Sequence, residues 1–137
     1  MIDNAIDLML KEKFVPSENR PMDPGEMEIK SLISRLTCGD SEESKKATWS
    51  ISNLSRHPIN RRTIIKEEAL PILVQFLKDK SDTRVIDVLR LLTNLSQTTI
   101  YRKEILTTES LSLVVALMRT GKSQFIEQSM EFIANMC

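Results

Sequence analysis

"INRRTIIKEEALPILVQFLKD", from Ile59 to Asp79, decides the fold of this chain once it is laid over "IYRKEILTTESLSLVVALMRT", from Ile100 to Thr120. The shift between the two is forty-one residues. Ile59 meets Ile100, Arg61 meets Arg102, Ile64 meets Ile105 and Ile65 meets Leu106. Further on, Leu70 meets Leu111, Leu73 meets Val114, Val74 meets Val115 and Phe76 meets Leu117. The match runs without a gap until "TNLS" falls on "ANMC" at the end of the chain. An earlier unit, "IKSLISRLTCGDSEESKKATWSISNLS" from Ile29 to Ser55, repeats the later portion, so Asn53, Asn94 and Asn135 stand at one fixed interval. A period of roughly twenty to fifty residues marks a repeat architecture.

Within each unit the apolar spacing is helical. Three helices per full unit are expected. The first covers Asn60 to Lys66, and Tyr101 to Thr107 in the next unit. The second covers Glu28 to Thr37, Ala69 to Lys78, and Ser110 to Arg119. The third and longest covers Glu42 to Arg56, Thr83 to Gln97, and Gln124 to Cys137. "GDSEE", "KSD" and "GKS" between the second and third helices are turn and cap compositions, with Ser41, Ser44, Ser81 or Asp82, and Ser123 as candidate N-caps. On the third helices Ala47, Ile51 and Leu54 share a face, matched by Val88, Leu92 and Leu95, then by Ser129, Ile133 and Met136. Leu32, Ile33 and Leu36, with Leu73, Val74 and Leu77, supply the second-helix layer of the core. One such unit cannot bury its own stripe, whereas stacked units bury it between neighbours.

Ahead of the repeats, Ile2 to Lys13 has helical spacing, and "FVPSENRPMDPGE", Phe14 to Glu26, holds three prolines and a glycine that forbid a continuous helix. The layout expected is an N-terminal helix over 1–13, which would cap the first unit, a linker or acidic arm over 14–26, which could instead occupy a groove, and repeats over 27–57, 58–98 and 99–137. Up to Met27 six acidic residues face three basic ones, so the arm is net acidic while the whole chain, with 19 of each sign, is neutral. Neutrality removes the excess positive charge by which proteins displace counterions from phosphates, so no nucleic-acid partner is expected. No apolar run approaches the roughly twenty residues of a membrane span, and the amino terminus lacks the pattern of a secretory signal. Cys38 and Cys137 have no metal or redox spacing and suit a reducing compartment, the cytoplasm or the nucleus. One histidine, no phosphate loop and no nucleophile elbow leave no enzyme, no metal and no cofactor to expect.

The segment "EEALPILVQFLKDKSDTRVIDVLRLLTNLS" resembles the armadillo repeat: a Leu-Pro pair, Leu-Val, further apolar residues, a polar turn, and a third helix closing in Asn-Leu. "TESLSLVVALMRTGKSQFIEQSMEFIANMC" follows it more loosely, with Ser112 where Pro71 stands, and Ala69 and Ser110 replace the glycine often found there in the family. The resemblance covers Met27 to the end. It implies an all-α fold, a right-handed α-α superhelix of about three repeats, whose third helices line a concave surface. The implied site is a partner-binding groove formed by Lys46, Trp49, Asn53, Asp87, Arg90, Asn94, Gln128, Glu131 and Asn135.

Trp49 and Asn53, four apart, look like the pair with which importin-α holds an extended peptide: an amide offers donor and acceptor to a backbone, and a tryptophan ring makes a slot. Arg90 and Glu131 at the tryptophan positions make the groove mixed in charge, which fits a protein or peptide segment of mixed charge better than a run of lysines. The competing reading is structural, since an asparagine near a helix C-terminus also satisfies loose carbonyls. Lys45-Lys46 and Arg61-Arg62 read as solvated faces, and His57 as a surface helix end. Phe125, Met130, Phe132, Ile133 and Met136 lead to two alternatives: an adaptor fragment of a longer armadillo protein, or an assembly element that forms a homodimer through its C-terminal end.

Overall fold

A computed structural model describes residues 24–37 and 40–137. Eight α-helices and one 3₁₀ turn account for the regular structure among them: α1 (Pro24–Thr37), α2 (Ser41–Leu54), α3 (Pro58–Lys66), α4 (Ala69–Gln75), the 3₁₀ turn Phe76–Lys78, α5 (Val85–Ser96), α6 (Thr99–Leu106), α7 (Ser110–Met118) and α8 (Ser123–Met136). The expected N-terminal helix over 1–13 and most of the expected linker lie outside the described residues. The last three linker residues do not: α1 begins at Pro24 rather than Glu28. Proline suits a first helical turn, where its missing N–H would have had no intrahelical partner.

The helix starts correct the expected caps. Asp40, not Ser41 or Ser44, caps α2: its Oδ1 accepts from the Glu43 backbone N–H at 2.9 Å. Ser44 is turned inward, its Oγ donating to the Leu36 carbonyl at 2.9 Å. The third helix of the second unit starts at Val85, two residues later than expected, because Asp82 organises a tight turn before it. One Asp82 oxygen accepts the Arg84 backbone N–H at 2.9 Å, and both take the Arg84 guanidinium. Ser81 bonds back to Asp79 instead, and Ser123 is the first residue of α8, with no side-chain cap at Lys122 before it.

The third helices α2, α5 and α8 pack side by side in one layer, and α1, α4 and α7 form the layer behind. The core lies between. Leu32, Leu36, Leu73, Val74 and Leu77 are buried from the second-helix layer, with Ile33 partly covered. Ala47, Ile51, Val88, Leu92 and Leu95 are buried from the third, while Leu54, Ile133 and Met136 are only partly so. The middle unit is flanked on both sides, and α5 buries Val85, Val88, Leu89, Leu91, Leu92 and Leu95 completely. At about 1.5–3 kcal/mol for each fully buried large aliphatic side chain, this helix is the anchor of the stack.

The last helix departs from expectation. Phe125 and Phe132 are buried within the described residues, so they need no further unit to cover them, and Met130 is the side chain of that group left mainly exposed. Ser129 stands where Ala47 and Val88 stand in the other units, fully buried, its hydroxyl without a hydrogen-bond partner among the described residues. No strand occurs among the described residues, and none of their helices is long and apolar enough to cross a membrane.

Candidate partner-binding face

The asparagine positions are set by a ladder of hydrogen bonds between third helices. Asn94 Nδ2 donates to the Ser55 hydroxyl at 2.9 Å and to the Ser52 carbonyl at 3.4 Å. One unit on, Asn135 Nδ2 donates to the Ser96 hydroxyl at 3.0 Å and to the Thr93 carbonyl at 3.4 Å. The serine hydroxyls pass the bond on, Ser55 to the Ser52 carbonyl and Ser96 to the Thr93 carbonyl at 2.7 Å. Each amide therefore reaches the residue just before the previous asparagine and the serine two positions after it, which holds the three third helices in register. The structural reading of these residues thus has substance, but the carbonyls they satisfy belong to the neighbouring unit and not to their own helix.

Asn53 differs. Among the described residues its amide has no hydrogen-bond partner, and it is half-buried. Four residues earlier, Trp49 is 54% exposed, so the ring lies on the surface and does not fill the core. Lys46 is exposed, while Lys45 is half-buried and pairs with Glu42 at 3.3 Å. In the next unit Asp87 and Arg90 form an ion pair at 3.5 Å. Burial pushes the Asp87 carboxyl above its ordinary value, against the pull of Arg90. In the last unit Gln128 is half-buried and Glu131 exposed. The register places Trp49, Arg90 and Glu131 at one level and Asn53, Asn94 and Asn135 at the level below.

Arg61 corrects the expectation of a solvated face. It is 7% exposed and holds four acceptors. Nε donates to the Ser55 carbonyl at 2.7 Å and Nη2 to the Arg56 carbonyl at 2.9 Å, both at the end of α2. Nη1 and Nη2 also reach the Thr98 hydroxyl at 3.0 Å and the Gln97 side chain at 3.1 Å, just before α6. Arg102 repeats the first of these, donating to the Ser96 carbonyl at 2.7 Å. The signal was in the sequence, where Arg61 falls on Arg102. Arg62 is exposed, and His57 is exposed at the start of α3.

A second link between units runs through Arg84, which sequence reasoning missed. Its guanidinium donates to Ser44 Oγ at 2.7 Å and lies 3.6 Å from the centre of the Phe76 ring. The Arg84 side chain, bonding to Asp82, is the main reason that carboxyl sits below its ordinary range. Behind the first and second helices, Ile65, Leu70, Pro71 and Ile72, with Glu68, Glu104, Thr107 and Thr108, line an open depression of about 500 Å³. Among the described residues no three His, Cys, Asp or Glu side chains gather as a metal site would need.

No family model matches the sequence, and no curated protein does. Solved structures do. A designed armadillo repeat protein, YIII(Dq)4CqI, is similar with a TM-score of 0.71 at 20% identity over 78% of this chain and 46% of that one. One engineered protein gives a TM-score of 0.71 at 21% identity over 79% of this chain and 27% of its own. Another gives 0.69 at 23% identity over 83% and 45%. The chain spans less than half the length of each of these structures. At such identity the likeness is one of fold, and the fold is an armadillo-like, all-α helical repeat solenoid.

Proposed function

We propose that the chain is a protein-interaction module, without catalytic activity, that holds an extended segment of a partner along the third-helix face. The armadillo-like fold suggests a protein-binding scaffold. The observation that carries the finer reading is Asn53 and Trp49. A half-buried amide with neither donor nor acceptor used among the described residues stands one helical turn from an exposed indole. Asn94 and Asn135 spend their donors on the neighbouring unit, which leaves their carbonyl oxygens to accept backbone N–H groups from a partner. Lys46, Arg90 and Glu131 give the face both signs of charge, which suits a partner of mixed charge. The place of action proposed is the cytoplasm or the nucleus. Assembly through the C-terminal end has less to recommend it, because Phe125 and Phe132 are already buried.

Selection of binders from a displayed library of random twelve-residue peptides tests the reading. Enriched peptides are expected to lose roughly tenfold or more in affinity for the Trp49→Ala/Asn53→Ala double variant, whose fold is checked by circular dichroism. Equal affinity for wild type and double variant would remove the third-helix face from consideration.

A further inference from the structure

The first helices carry an exposed pattern that their packing does not require. Ile59 is 65% exposed and Ile100 72%, the highest values among the exposed large apolar side chains of the described residues. They occupy one position in consecutive units, the second residue of α3 and of α6. Their neighbours explain why that position faces outward. Asn60 turns in to donate to the Leu54 carbonyl at 2.9 Å, and Arg61 turns in beside it. In the next unit Arg102 turns in and Tyr101 is half-buried. Both positions are isoleucine.

Three residues on, along the same helical face, stand Arg62 and Lys103, both exposed and with no ion pair among the described residues. The two apolar–cation pairs form one surface. Arg61 ties α3 to Gln97 and Thr98 just before α6, and burial pushes the Tyr101 hydroxyl above its ordinary value against the pull of the neighbouring Arg62 and Arg61.

We propose that this edge docks an acidic amphipathic helix of a partner protein, with apolar side chains on Ile59 and Ile100 and carboxylates on Arg62 and Lys103. Charge complementarity sets the sign of the partner, and the neutral chain as a whole favours a protein over a polyanion or an anionic bilayer. The edge is separate from the third-helix face and stands whether or not that face binds peptide.

Fluorescence anisotropy tests it with a labelled helical peptide carrying leucines along one face and glutamates beside them, against a counterpart with lysines for glutamates. The acidic peptide is expected to bind and the basic one not. The Ile59→Ser/Ile100→Ser and Arg62→Glu/Lys103→Glu variants are each expected to weaken binding roughly tenfold or more, as loss of interface anchors does. Met130→Ser, an exposed apolar residue on α8, is expected to leave binding unchanged and so to exclude general stickiness. No binding of the acidic peptide, or binding indifferent to both edge variants, overturns the proposal. So does sedimentation of the wild type with phosphatidylserine vesicles, or a shift with single-stranded RNA, that the edge variants abolish.

Discussion

At the scale of single residues, the three asparagines share a position but not a task. Asn94 and Asn135 have their amide donors fixed on a serine hydroxyl and a backbone carbonyl of the unit before, whereas Asn53 has none of this among the described residues. Removing an asparagine should therefore have consequences that depend on where it stands. Asn94→Ala loses the bonds to Ser52 and Ser55 and is expected to cost about 1 kcal/mol of stability, the usual net worth of a hydrogen bond. Asn53→Ala has no bond to lose among the described residues and is expected to stay within about 0.5 kcal/mol of wild type. Urea unfolding of the two variants at unchanged m-value makes the comparison. A large loss at Asn53 would mean that its amide is structural after all. This division of labour was not legible in the sequence. The forty-one-residue interval identified one repeated position, but a donor's partner is a serine thirty-nine residues away on another helix, and only packed helices bring the two together.

Helices are joined here by arginines more than by caps. Arg61 satisfies two carbonyls at the end of α2 and reaches the entry of α6, and Arg102 makes the first of those bonds alone. Arg61→Met strips its donors from the buried Ser55 carbonyl and the part-buried Arg56 carbonyl and is expected to cost about 2–4 kcal/mol, Arg102→Met about 1 kcal/mol, read from urea midpoints. Lysine would not rescue Arg61, since one ammonium cannot meet acceptors spread around a planar guanidinium. Two carboxyls test the electrostatics with opposite signs. Asp82 is held below its ordinary 3.8, chiefly by the Arg84 side chain. Its folded-state pKa lies below the unfolded one, so its contribution is full above the unfolded value and is lost as pH falls through the folded value. Asp82→Asn should be less stable than wild type at pH 7, with the gap closing in acid. Asp87 is raised from 3.8 by burial, so its charged form is penalised in the fold. Asp87→Asn should gain relative to wild type at pH 7, and the gain should vanish as pH falls below 3.8. Thermal unfolding across pH 2–7 follows both pairs. Among the described residues, helix number and order were legible, because apolar spacing reports burial directly. Helix starts were not: Asp40 and Asp82 compete with neighbouring serines, and the choice rests on local turn geometry.

The whole molecule is a stack, and a stack turns a difference between units into a direction. The period, the three-helix unit and the core stripe could be read from the chain, because a repeated position meets the same neighbours each time. What breaks the repeat could be listed from the sequence but not placed in space, and the third-helix face is where it matters. Lys46 and Trp49 lie exposed at one end, the Asp87–Arg90 pair sits in the middle, and Glu131 lies exposed at the other. The face is thus positive toward the first unit and negative toward the last. A partner held in one backbone direction along it should feel that polarity. Two extended peptides of equal composition, one with aspartates first and lysines last, the other in reverse order, are expected to differ in affinity roughly fivefold at low salt, the scale of about 1 kcal/mol for exposed charges. The difference should fade near 0.5 M salt, where screening lengths fall to a few ångströms. In the Lys46→Glu/Glu131→Lys variant the preference should invert, because the charges are exchanged while the asparagine ladder and Trp49 are untouched. Inversion ties the preference to these two side chains. Two peptides that bind equally well to both forms would leave the face as a backbone reader without polarity, and peptides that bind to neither would remove the face as a binding site.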